Sequence, residues 1–287
     1  MKGLMTLVIL VQLLVLNHYP IFAQEEAQKA PKYGWKNQIV STLNLTQASF
    51  ENWTQGGENT FAWQINLNTR FVHKEKTYVW ANEAKFTFGL AKVGDKEARK
   101  SSDEIRLESV YTRNVGWLVN PFFAGTVVTQ FAAGFQYDGD NKTQVSKFLD
   151  PGYFTQSIGF GYARGDVFKT RLGATVKETV TNDFPAPYAD DPNTAKIEKT
   201  KTEPGISSVT NFQQKLHENI LYTSKLDMFS DLEAFNRIDV LWENNLAMKV
   251  TKLINVSFNV DLFYDRDLSS KRQIKQVLAI GFTYTFL

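Results

Sequence analysis

With 32 Lys and Arg against 30 Asp and Glu, the 287-residue chain is nearly neutral, at +2, which leaves no electrostatic basis for binding nucleic acid. It has no cysteine, so neither disulfides nor a cysteine-linked lipid can hold it. Its hydrophobic fraction of 43% is spread thinly enough to exclude a bundle of membrane helices, but not a β-barrel, whose strands are apolar only at alternate positions.

The chain opens like an export signal. Lys2 precedes an apolar run from Leu4 to Leu16, then Pro20 breaks it and Ala23 offers a small residue for cleavage. Residues 1–23 are therefore read as a signal peptide. Residues 24–37 are polar and read as a flexible periplasmic lead-in, leaving 38–287 for the folded part.

Strand alternation follows. In 60–72, Phe61, Trp63, Ile65, Leu67 and Phe71 oppose Gln64, Asn66, Asn68 and Arg70. In 78–91, Tyr78, Trp80, Phe86, Phe88 and Leu90 oppose Glu83, Lys85 and Thr87, and in 102–115, Ile105, Leu107 and Tyr111 oppose Glu104, Arg106 and Glu108. The stretches 38–48, 121–135, 154–163, 167–179 and 216–227 alternate less cleanly. Clean alternation returns in 235–250, where Ile238, Val240, Trp242, Leu246 and Met248 face away from Arg237, Asp239, Glu243 and Lys249, and in 253–264. The last stretch places Leu278, Ile280, Phe282, Tyr284 and Phe286 on one face and Ala279, Gly281, Thr283 and Thr285 on the other.

A soluble sandwich would also bury such faces. Soluble strands, however, run about five or six residues, whereas membrane-spanning ones need about nine to eleven, and these are long. The connections alternate short and long as in outer-membrane barrels, with short links at 73–77, 116–120, 164–166 and 251–252. Longer ones lie at 49–59, 92–101, 136–153, 265–274 and from 180 onward. To close the rhythm, 199–211 must be a strand despite Pro204 and Gly205, with a short turn at 212–215 and an outside loop at 228–234. The expectation is an all-β, antiparallel, up-and-down transmembrane barrel of twelve strands, with ten as the alternative.

The segment Asn52-Trp53-Thr54-Gln55-Gly56-Gly57-Glu58-Asn59 resembles an uncharacterised family of outer-membrane β-barrel proteins from Gram-negative bacteria of the Bacteroidota lineage. Shorter pieces that resemble it are Lys100–Asp103, Ser146-Lys147-Phe148 with Pro151, Glu218-Asn219 and Tyr264-Asp265. The resemblance implies location in the outer membrane and a barrel fold, and carries no activity. Leu287 departs from the pattern, because such barrels commonly end on the aromatic itself.

Several groups are candidates for chemistry. The Trp53–Asn59 segment can be a ligand-gripping loop, but Gly56 and Gly57 read better as a tight turn with Trp53 as a rim anchor. Asp138, Asp140 and Asn141 crowd oxygen ligands as calcium sites do, without the full spacing, and Asp265 with Asp267 is a similar weak cluster. A lipid hydrolase would need a serine near His73 or His217, and neither has one two residues on. No cofactor motif is present.

The inward charges bear on transport. Arg70, Glu83, Lys85, Glu104, Arg106, Glu108, Lys169, Arg171, Arg237, Asp239, Glu243 and Lys249 either line a selective pore or pair across a filled lumen. Three roles follow: a narrow channel for small solutes or ions, an accessory barrel that binds another envelope protein through loops such as 136–153 and 180–198, and, last, a lipid-modifying enzyme. Beyond such a protein, the partner expected is outer-membrane lipid.

Overall fold

The computed structural model describes residues 33–51, 57–139, 141–186, 188–233, 238–266 and 271–286. The expected signal peptide, most of the lead-in, Asn52, Trp53, Gly56, Asp140, Arg237, Asp267 and Leu287 lie outside these residues. The described elements are all strands: β1 (Gly34–Ala48), β2 (Thr60–Lys74), β3 (Tyr78–Val93), β4 (Arg99–Arg113), β5 (Asn120–Thr129), β6 (Gly134–Asp138), β7 (Asn141–Ser146), β8 (Gly152–Arg164), β9 (Phe168–Val180), β10 (Thr200–His217), β11 (Ile220–Asp231), β12 (Ile238–Lys249), β13 (Ile254–Tyr264) and β14 (Gln273–Thr285).

Twelve of these close into one antiparallel barrel in which each barrel strand pairs with the barrel strands before and after it, β5 with β8 and β1 with β14; β6 and β7 form a separate hairpin. Closure leaves no sheet edge, as a membrane-spanning sheet requires. The outer wall is apolar. Ile274, Leu278, Ile280, Phe282 and Tyr284 of β14 are more than half exposed, while Ala279 between them is buried in the interior. The chain is thus a transmembrane barrel of the outer-membrane kind, its apolar face set by period-two alternation.

Several boundaries differ from the sequence reading. β1 starts at Gly34, inside the expected lead-in, because Gly34–Asn37 pair with Phe71–Lys74. β10 continues to His217, so the turn falls at Glu218-Asn219 rather than at 212–215. His217 consequently ends a strand, and His73 lies in β2 rather than in a turn. The polar run Gln213-Gln214-Lys215 does not break the strand, because its backbone remains paired with Thr223, Tyr222 and Leu221. The expected loop at 92–101 shortens to 94–98.

Pro204 sits within β10 without cost to the ladder. Its carbonyl accepts from Leu232 N at 2.9 Å, so the N–H it lacks would face the end of β11, where pairing stops at Asp231. Gly205 beside it leaves the space that the Phe229 ring fills.

The turn end carries the connections 75–77, 114–119, 165–167, 218–219 and 250–253; the loop end carries all the others.

Candidate functional site: a charged lumen and an anchored loop crown

Following the register around the ring places Lys85 opposite Arg106 and Glu83 opposite both Arg70 and Glu108 on the inner face. Lys225 and Glu243 pair on the far wall, beside Asp261 and then Lys275.

At mid-height four charges form a closed cycle of alternating sign. Arg106 Nε lies 3.0 Å from Glu104 Oε1, and its Nη1 lies 3.5 Å from Glu243 Oε2. Lys85 Nζ lies 3.1 Å from Glu243 Oε1 and 3.5 Å from Glu104 Oε1. β4 and β12 are six places apart whichever way the twelve-strand ring is followed, so Arg106 and Glu243 reach each other from opposite walls. Their side chains stay partly wet, from 13% exposed for Arg106 to 36% for Lys85.

Two further clusters flank the cycle. Towards the turn end, Glu108 accepts from Arg171 and, at 2.9 Å, from Lys225 Nζ. Towards the loop end, Lys177 Nζ lies 2.8 Å from Asp239, 3.7 Å from Glu203 and 3.9 Å from Asp265. Lys177 also sits over the buried Phe229 ring, 5.2 Å from its centroid. On the turn side of the cycle lies a cavity of about 300 Å³, lined among others by Gln38, Asn68, Arg70, Glu83, Lys85 and Glu243.

Of the charges singled out in the sequence, Arg70, Glu83, Lys85, Glu104, Arg106, Glu108, Arg171, Asp239 and Glu243 belong to these interior groups. Lys169 and Lys249 sit at the turn end. Lys169 pairs with Asp166 of the β8–β9 turn at 2.9 Å, and its hydrogen bond and charge hold that carboxyl below its ordinary range. Lys177, Glu203, Lys225 and Lys275 were not singled out. Parity along β9–β11 would have found Lys177, Glu203 and Lys225, but there the inner face also carries Gly173, Gly205, Val209 and Phe229, which blur the pattern; Lys275 lies on β14, opposite Asp261.

The loops are anchored from below by two carboxylates. Asp103, its side chain only 2% exposed, accepts from Phe131 N at 2.7 Å, Ala132 N at 2.9 Å and Lys100 Nζ at 2.8 Å. This folds 130–133 onto the outer wall, with Phe131 edge-on to Phe86 and Phe88. Asp150, 1% exposed, accepts from Asn182 N at 2.9 Å, Asp183 N at 2.8 Å and Phe184 N at 3.4 Å, while Lys147 pairs with Asp183. Burial pushes the Asp150 carboxyl up, but the backbone N–H groups outweigh it and hold the group below its ordinary value. The short pieces Lys100–Asp103 and Ser146–Pro151 therefore tie loops down.

The described part of the glycine motif also knits loops. Asn59 Oδ1 accepts from Phe50 N at 2.6 Å and Asn59 O accepts from Gly94 N at 2.7 Å, while Gly57, at φ 144°, lies against the Phe50 ring. Asp138 and Asn141 are the last pair of the β6–β7 hairpin, whose tip holds Gly139 at φ 60°. The hairpin rests on the β3–β4 connection through Lys142–Glu97 at 3.0 Å and on the start of β4 through Arg99 over Tyr137 at 3.9 Å.

Residues 45–135 match a family described as "Protein of unknown function (DUF3078)". Among curated proteins nothing matches. Solved structures of outer-membrane barrels are similar, three of which follow. The translocator domain of autotransporter NalP from Neisseria meningitidis shares 10% identity over 88% of both chains, with a TM-score of 0.41. The COG4313 outer membrane channel from Pseudomonas putida F1 shares 9% over 91% of this chain and 98% of that one, with a TM-score of 0.43. The outer membrane channel DcaP of Acinetobacter baumannii shares 8% over 88% and 97%, with a TM-score of 0.31.

Proposed function

We propose that this outer-membrane barrel is a narrow, low-conductance channel for small ions or solutes, with the Glu104–Arg106–Glu243–Lys85 cycle as its throat. The observation that carries this reading is a closed cycle of charges bridging opposite walls, wetted by a cavity on its turn side. A barrel that needed only filling would gain more from apolar packing, since a buried ion pair repays its desolvation poorly. Alternating charges in a wet throat can exchange partners with a passing ion instead. The side chains crossing the lumen limit passage to small species.

Liposomes containing the refolded protein should swell with glycine or urea and not with disaccharides. Swelling with none of these, from barrel shown folded by heat-modifiable migration, overturns the reading. It would favour a second one, an accessory barrel that binds another envelope protein, which the anchoring of the loop crown by Asp103 and Asp150 supports.

A further inference from the structure

On the outer wall near the turn end, two rows of residues run across β1, β2, β3 and β4. The first is Trp35–His73–Trp80–Tyr111, each opposite the next in the ladder. Its rings are joined to one another and to Tyr78: Trp35 to His73 at 4.8 Å, Trp35 to Trp80 at 6.1 Å, and Tyr78 stacked on Tyr111 at 5.4 Å. Such a row marks the membrane–water interface. The second row, one step further into the membrane, is Asn37–Phe71–Asn82–Ser109.

Three polar side chains on a lipid-facing wall need an explanation, because amides in hydrocarbon are costly unless hydrogen-bonded. Ser109 Oγ donates to Asn82 Oδ1 at 2.8 Å and accepts from Trp80 Nε1 at 3.0 Å. That chain uses the Asn82 oxygen and leaves its two N–H donors pointing elsewhere. The Asn37 side chain is exposed and makes no hydrogen bond among the described residues. Asn37 and Asn82, with Trp35 and Phe71, line a shallow groove of about 430 Å³. Beyond the aromatic row, exposed cations stand at the turn end: Lys76 in the β2–β3 turn and Arg113, which lies opposite Tyr78.

We propose that this groove binds one glycerophospholipid. The ester oxygens accept from the amides of Asn37 and Asn82, a chain lies over Phe71, and Trp35 and Trp80 flank the glycerol. Arg113 lies four positions beyond Ser109 on β4, which is roughly 10 Å along the membrane normal for tilted strands, so the phosphate falls between the amides and the cation. Phosphate is the charge that Arg113 and Lys76 complement. This assignment rests on the barrel and its outer wall alone and is independent of the channel reading.

The test is native mass spectrometry of the full refolded barrel in detergent supplemented with phosphatidylethanolamine. Wild type should carry one lipid per barrel. Asn37→Leu with Asn82→Leu should lower the bound fraction by about tenfold, the equivalent of two neutral hydrogen bonds, while heat-modifiable migration stays intact. Leucine suits a lipid-facing wall, so this variant should fold, and Arg113→Gln, outside the membrane, provides a second with the same direction of effect. Equal retention in the variants overturns the proposal. So does binding of inorganic phosphate alone, which would mark a simple anion site, and so does a dimer mass that replaces the lipid adduct.

Discussion

Replacing Asp150 by Asn tests how the loop crown is held. The wild-type carboxylate uses Oδ1 for Asn182 N and Phe184 N and Oδ2 for Asp183 N, at 2.9, 3.4 and 2.8 Å. Asn keeps one oxygen, so the bond to Asn182 can survive. At the other position an NH₂ group then faces the Asp183 N–H, two donors where there had been a charge-assisted bond. Losing such a bond and leaving a donor unpaired costs about 2–3 kcal/mol. The loss is local, because the barrel ladders on either side do not depend on it. Amides at 182 and 183 should therefore exchange with deuterium roughly a hundredfold faster at neutral pH, since each 1.4 kcal/mol is about a factor of ten. Hydrogen exchange followed by mass spectrometry on the refolded barrel measures this. Unchanged exchange at 182–183, or a rise spread evenly over the strands, would refute the reasoning.

Acid should release the same loop in the wild type. The folded Asp150 carboxyl lies below its ordinary value, so its contribution is full above the unfolded value of about 3.9 and is lost as pH falls through the lower folded value. Protection at 182–183, measured against the intrinsic exchange rate at each pH, should then fall below about pH 4, a fall absent from Asp150→Asn, whose side chain does not titrate. Glu108→Gln leaves Arg171 and Lys225 facing an uncharged amide and should cost about 3 kcal/mol, read as a lower urea midpoint of the micelle-bound barrel. Gly205→Ala would place a methyl 2.5 Å from Phe229 Cζ and from Ser230 O, so the midpoint should fall by the equivalent of about 1–3 kcal/mol. An unchanged midpoint in either variant would mean that the interior is looser than its contacts imply.

The barrel was legible because lipid imposes alternation on every strand that touches it. β2, β3, β12 and β13 carry mostly large apolar residues outward at alternate positions, and β4 does so at Ile105, Leu107 and Tyr111, so that in the sequence their faces separate cleanly. β9, β10 and β11 do not, because their inner face holds Gly173, Gly205, Val209 and Phe229 among the charges. The turn after β10 was misplaced for a related reason: Gln213-Gln214-Lys215 looks like a loop, yet its backbone is paired on a barrel rim that water can reach. The β6–β7 hairpin carried its own signal in the sequence Gly139-Asp140, a glycine-first dipeptide between the paired Asp138 and Asn141, which the calcium reading obscured.

Inward-facing charges could be picked out by parity, but their partners could not. Arg106 and Glu243 are 137 residues apart, and only closure of the twelve-strand ring brings opposite walls together. The same holds for Asp103 and Asp150, whose anchoring roles depend on backbone N–H groups that have no signature in residue type.

The throat itself is tested most directly by single-channel conductance in a planar bilayer, wild type against Glu243→Ala. Removing Glu243 takes the shared acceptor from Lys85 and Arg106 and widens the lumen between β4 and β12. Small steady steps for the wild type, larger steps for the variant and a shift towards anion preference are the expected result. Two folded barrels that both stay silent would contradict the account.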